Sequence, residues 1–222
     1  MTITYTTNAR AKRLSVRVVA NDSVLVTMPK RISQERATAF VTEHMSWIKQ
    51  QLAKLANTPK LETDDWVHLF GTRYQKKFAY SRNRPIGCYI EDEILCINPI
   101  DPLKKDTEYQ NKAVAQFLKH TAQHYLLPRT HQLAEQMQIS FGNVTLRQQK
   151  TRWGSCSSKG NLNFNWRLVH FEPNVIDYVI IHELAHRVHM NHSAQFWNLV
   201  RKFDPSYPTH KGVLNKFGAQ LH

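Results

Sequence analysis

The chain predicts an α+β fold, and three observations carry that reading. Residues up to about 106 run as short stretches of alternating apolar and polar positions broken by turn residues, with one helical stretch among them. From Tyr109 the apolar spacing changes to that of a helix. The helix-length apolar run from Pro173 then carries His182-Glu183-Leu184-Ala185-His186, followed by His192. With 222 residues, 41% hydrophobic and 21% charged, and no repeat or low-complexity run, the composition excludes a disordered or fibrous chain.

In order, Leu14, Val16 and Val18 alternate with Ser15 and Arg17, Asn21-Asp22 marks a turn, and Val24 to Met28 follows. This predicts an opening β-hairpin. Ser33 is placed to cap a helix whose apolar positions include Ala37, Phe40, Val41, Trp47, Ile48, Leu52 and Leu55, ending near Asn57-Thr58-Pro59. Short strands are expected at Val67 to Phe70, at Tyr74 to Tyr80, and in a hairpin from Gly87 to Ile97 turning at Glu91-Asp92-Glu93. The change of period near 103–107 divides the chain into a β-rich amino-terminal part with one amphipathic helix, residues 1–106, and a metal-binding part, residues 107–222. The two form either two domains or one.

Tyr109 to Met137 reads as a helix that Pro128 should kink or split. A strand is expected from Ile139 to Arg147, then a loop from Lys150 to Asn161 containing Arg152-Trp153-Gly154-Ser155-Cys156. Leu162, Phe164, Trp166 and Leu168 alternate with Asn163, Asn165 and Arg167 as in a half-buried strand. The next helix, roughly Pro173 to Val188, is apolar nearly all round and so should be buried. Asn191 is the expected pivot of the reversal after it, and Ser193 the cap of a final helix packing through Phe196, Trp197, Val200 and Phe203 until Asp204-Pro205.

The chemistry resides in the buried helix. Residues four apart share a helix face, so His182 and His186 can offer imidazoles to one zinc ion, with Glu183 beside them to take a proton from water. His192 is preferred over His189 as third ligand, because His189 should continue the helix. The rival pair His120 and His124 lacks an adjacent Glu and a third ligand and reads as two solvent-facing histidines. Oxyanion help falls first to Arg152, which is equally placed for a structural ion pair or carbonyl clamp, and second to Tyr207.

Three cysteines without zinc-ribbon spacing fit reduced thiols in a cytoplasmic protein, although Cys88 and Cys96 could face each other across a hairpin; Cys156 reads as a small structural thiol. No signal-length apolar run opens the chain, and no membrane span is expected. Net charge is +13, and residues 1–60 hold 10 Lys and Arg against 3 acids. That excess suits either solubility or a nucleic-acid or nucleotide partner.

The run Arg-Trp-Gly-Ser-Cys, Asn-x-Asn-Trp-Arg-Leu, Asp-Tyr-Val-Ile-Ile-His-Glu-Leu-Ala-His and Asn-His-Ser-x-x-Phe-Trp, from Arg152 to Trp197, resembles the YgjP-type metallopeptidases, a family related to WLM and SprT-like zinc proteases. The resemblance implies a compact zincin-like catalytic unit, one zinc held by His182, His186 and His192, and Glu183 as general base. In zincins a strand like that of Asn163 and Asn165 can present an edge to an extended peptide. His189 stands where a metzincin-like pattern would have Gly, so that group's turn geometry is not carried over. The expected activity is zinc-dependent hydrolysis of a protein or peptide. Two other classes stay open: a metal-dependent phosphohydrolase of nucleoside triphosphates, disfavoured by the lack of a P-loop or carboxylate cluster, and a zinc-stabilised nucleic-acid-associated binding protein. The number of protomers is not set by the sequence.

Overall fold

A computed structural model describes residues 1–20, 23–57, 60–102, 106–149 and 151–218, the side chains of 19 and 20 excepted. The Asn21-Asp22 turn, the Thr58-Pro59 helix end, residues 103–105 and Lys150 lie outside the described residues. The fold is α+β, and two compact units divide it: residues 1–59 with 216–222, and residues 60–215.

In the first unit, β2 (Ser15–Ala20) and β3 (Ser23–Met28) pair antiparallel as predicted. A strand the alternation did not reveal, β1 (Thr2–Thr7), adds parallel to the other side of β3. β3 is therefore central, and Val24, Val26 and Met28 on its inner face pack with Ala37, Val41 and Ile48 of the helices. The helix predicted from Ser33 is two segments, α1 (Gln34–Glu43) and α2 (Met45–Ala56). The Ser33 hydroxyl does cap it, accepting from the Arg36 N–H. The joint is His44, at φ −99° and ψ 7°, whose ring Nδ1 donates to the Phe40 carbonyl at 2.9 Å and competes there with the helical ladder.

The second unit opens with a four-stranded sheet ordered β4 (Trp66–Leu69), β5 (Thr72–Phe78), β7 (Ile94–Asn98), β6 (Gly87–Glu91). Phe70-Gly71 and Asp92-Glu93 turn its two hairpins with positive φ at both positions, which matches the strand twist. The hairpin register sets Cys96 opposite Tyr89 and Cys88 opposite Ile97, and all three cysteines are free thiols.

β6 and β7 lie against α3 (Thr107–Met137), so the predicted boundary at 106 falls inside this unit, between a sheet and the helix that packs on it. α3 runs through Pro128 without a split. Leu126, Thr130, Leu133 and Ala134 are buried on both sides of the proline, and this packing outweighs one missing ladder bond.

A three-stranded sheet follows, with β10 (Leu162–Asn165) between β8 (Val144–Arg147), parallel, and β9 (Gly154–Cys156), antiparallel. The expected loop thus contains a strand, and the expected strand from Leu162 ends early. At Trp166 it becomes a 3-10 turn, Trp166–His170, capped by the Asn165 side chain, which still buries Trp166 and Leu168. α4 (Pro173–Ala185), α5 (Ala194–Phe203) and α6 (Tyr207–Phe217) complete the unit. α4 buries Val175, Ile176, Val179, Ile180, Ile181 and Leu184 against α3, α5 and β9. α6, which the sequence reading left unassigned, follows α5 after three intervening residues. No helix among the described residues is long and apolar enough to cross a membrane.

Candidate active site

α4 sets His182 and Glu183 in its last turn and ends one residue before His186, which is its C-cap. The helix is three residues shorter than expected. The turn from His186 to His189 is closed by the His189 N–H donating to the Ala185 carbonyl at 2.9 Å. Asn191 does not take the left-handed conformation assigned to it, because the reversal is already under way at 186–190. His192 follows, just before Ser193, whose hydroxyl caps α5 as predicted.

The three histidines converge: a ring nitrogen from each lies within 4.8 Å of the others, and the Nε2 atoms of His182 and His192 are 3.1 Å apart. A tetrahedral zinc with bonds of 2.0–2.1 Å separates its nitrogen ligands by about 3.3 Å, so the spacing fits such an ion. The His186 Nδ1 donates to the His189 carbonyl at 3.2 Å, which fixes the tautomer and leaves Nε2 bare. His189 thus contributes its carbonyl, and its ring is not in the cluster. Burial pushes the His182 pKa down to about 3, reinforced by its two histidine neighbours and Lys211, and burial also lowers that of His186. Both rings are therefore neutral at pH 7, the state a metal requires.

Phe196, fully buried on α5, packs against all three rings at centroid distances of 4.6–4.9 Å, and Trp197 stacks on His192 at 5.5 Å. By contrast, His120 and His124 sit 3.0 Å apart on the exposed side of α3, without a third ligand among the described residues.

Glu183 is 6% exposed, and burial raises its pKa to about 8, opposed by the positive charge of Arg152. Gly154 of β9 lies directly against it: a Cβ built on Gly154 would come 2.6 Å from Oε1 and 2.8 Å from Cγ of Glu183. The glycine is what admits the carboxylate. Arg152, Gly154, Tyr178, His182, Glu183 and Lys211 are among the residues enclosing a cavity of about 220 Å³ beside the triad.

The remaining predicted residues fall differently. Tyr207 stacks on Trp197 at 5.2 Å and does not line the cavity; Tyr178, one helical turn before His182, holds that position. Asn163 and Asn165 are on a central strand, so β10 has no edge to offer a peptide. Asn163 accepts from Thr145 and Arg147, while Asn165 is fully buried, donates to the Gln149 carbonyl and caps the 3-10 turn. Both hold the sheet together. Cys156 stays a protonated thiol, its pKa raised first by burial and then by the Glu183 charge.

Sequence reasoning missed Gly154, Tyr178 and Lys211. Tyr178 was accessible from its i, i+4 relation to His182. Gly154 and Lys211 had no local signal, since each matters through a residue distant in the chain.

A cluster of three histidines, two partly buried and one exposed, with a buried glutamate directly after the first of them, on an α+β scaffold, is the constellation of a metal-dependent hydrolase. The YgjP-like metallopeptidase domain matches residues 12–217, and the chain belongs to that family. Its class is therefore that of a metallopeptidase-type hydrolase. Two solved structures are similar to part of the chain. The metallopeptidase zymogen abylysin of Pyrococcus abyssi is 22% identical over 40% of this chain and 91% of that one, with a TM-score of 0.37. The metallopeptidase zymogen jannalysin of Methanocaldococcus jannaschii is 21% identical over 40% and 94%, also with a TM-score of 0.37. No curated protein matches the chain significantly.

Proposed function

We propose that this chain is a zinc peptidase in which His182, His186 and His192 hold one ion and Glu183 is the general base. The observation that carries this reading is the approach of three imidazole nitrogens within 4.8 Å of one another, with the buried Glu183 carboxylate next to His182 in the last turn of α4. A zinc ion there supplies Lewis acidity, lowering the pKa of a water to about 7 and polarising the substrate carbonyl. Glu183 takes the proton from the attacking water and returns it to the departing amine. Burial, only partly opposed by Arg152, leaves the Glu183 pKa at about 8 in the metal-free protein, and a cation held by the three histidines would lower it toward the range a base needs. Arg152, lining the same cavity, also offers positive charge to the developing oxyanion. The substrate class is protein or peptide, in keeping with the family.

Metal analysis and peptide hydrolysis test this together. The wild-type protein should hold one zinc per chain, and His186→Ala should lose it. Glu183→Gln should keep zinc and lower kcat by about 10²–10⁴-fold. Undiminished turnover in that variant, or no zinc in the wild type, rejects the assignment.

A further inference from the structure

The cavity beside the triad is small, and cations outnumber acids in its lining. Its volume of about 220 Å³ falls below the roughly 300–1,000 Å³ of sites that enclose a whole small-molecule ligand, and is the size for a single amino-acid side chain. Trp153, Val179 and Leu214 form apolar walls. Two cations, Arg152 and Lys211, face it, against one acid, Glu183, which belongs to the catalytic side.

Lys211 lies on the first turns of α6, with its ammonium 4.5 Å from the centroid of Trp197, the ring that stacks on His192. Among the described residues neither Lys211 nor Arg152 forms an ion pair. A lysine held on an aromatic face and lining a partly apolar pocket, without an ion-pair partner among the described residues, offers its charge to whatever enters. Lys211 and His182 line the same cavity, and the ring under the ammonium stacks on His192, which places that charge beside the candidate metal site.

We infer that this cavity is a specificity pocket for a carboxylate of the peptide substrate, next to the bond that is cut, and that Lys211 is its selecting residue. The inference rests on the peptidase reading above. An aspartate or glutamate side chain fits by size, with its methylenes against the apolar walls and its carboxylate between Lys211 and Arg152. A carboxyl-terminal residue would present the same chemistry, and the experiment separates the two.

The test uses the zinc-loaded protein and four matched peptides: amidated with an internal Glu, amidated with Gln in its place, amidated with Lys in its place, and the Gln peptide with a free carboxyl terminus. Hydrolysis is followed in the wild type. Binding is measured separately by calorimetry in Glu183→Gln, so that a peptide that binds without being cut indicts the catalytic reading rather than the pocket. One of the two carboxylate peptides should exceed the neutral one by at least tenfold in kcat/KM and in affinity, and which one identifies the source. Lys211→Met should bring the ratio to within about twofold with zinc content unchanged, and Lys211→Glu should turn the preference toward a Lys-containing peptide. That reversal is a gain that misfolding does not produce. Equal use of the peptides, no peptide binding, a preference indifferent to Lys211, or tight binding of a nucleoside triphosphate in place of any peptide overturns the inference.

Discussion

Gly154 and Glu183 come from different elements, and their contact decides whether the carboxylate can stand where it does. A methyl group at 154 would overlap both Cγ and Oε1 of Glu183. Gly154→Ala should therefore displace the carboxylate, lowering kcat about 10-fold or more while zinc content stays at the wild-type level; equal kcat would refute the role given to the glycine. The Glu183 carboxyl also sets a pH signature in the zinc-free protein. Its folded pKa, about 8, lies above the unfolded value near 4.5, so its contribution to stability is whole below pH 4.5 and lost as pH rises toward 8. Melting curves of chelated protein should show Glu183→Gln more stable than wild type at pH 8, with the gap closing by pH 4.5. His182 works in the opposite direction. Its folded pKa near 3 lies below the unfolded 6.5, so stability is lost as pH falls through that window.

Among the elements, α4 shows why the site is rigid. Its apolar surface is buried on several sides, and one polar tie fixes it along α3: Arg129 Nε donates to Asp177 Oδ1 at 2.8 Å and Nη2 to Oδ2 at 2.5 Å. This two-pronged pair lies in the carboxyl-terminal third of α3 and in the first half of α4, away from the histidines. Asp177→Asn keeps the shape and removes the charge, so it should cost about 1–3 kcal/mol in chemical denaturation with zinc stoichiometry unchanged. A loss of zinc instead would mean that the pair orients the ligands. α5 acts differently, through Phe196, whose contacts with all three imidazoles fix their orientation without any polar bond.

At the scale of the molecule, two cores are present, and the candidate site belongs wholly to the unit of residues 60–215. An ion that binds the folded site stabilises that unit by mass action, about 2.7 kcal/mol when free zinc exceeds its Kd 100-fold. Hydrogen exchange with and without chelator should show that protection in α4 and α5. The core around Val24, Val26 and Ile48 should change little. Uniform loss of protection in both cores would show that the chain unfolds as one cooperative body.

The residues that determined their own reading were those whose signal is local. The Ser33 and Ser193 caps, the antiparallel strand pairs and the burial of α4 need only neighbours in the chain, and the described residues show them; the four-residue spacing that makes His182 and His186 candidate ligands is equally local. The family resemblance follows from the same motif and its flanks. Tertiary structure decided the rest. β1 was invisible because a strand that joins parallel to β3 carries no turn to announce it. The 3-10 turn at Trp166 preserves the burial that strand alternation also predicts, so the pattern could not tell them apart. Asn163 looked available because a strand's polar face says nothing about whether another strand already lies beside it. Gly154 and Lys211 gained their places only when β9 met α4 and when α6 brought its lysine onto Trp197. Sequence spacing sets which groups share a helix face; only packing determines what stands opposite that face, and here that includes both the room for Glu183 and the cations lining the cavity.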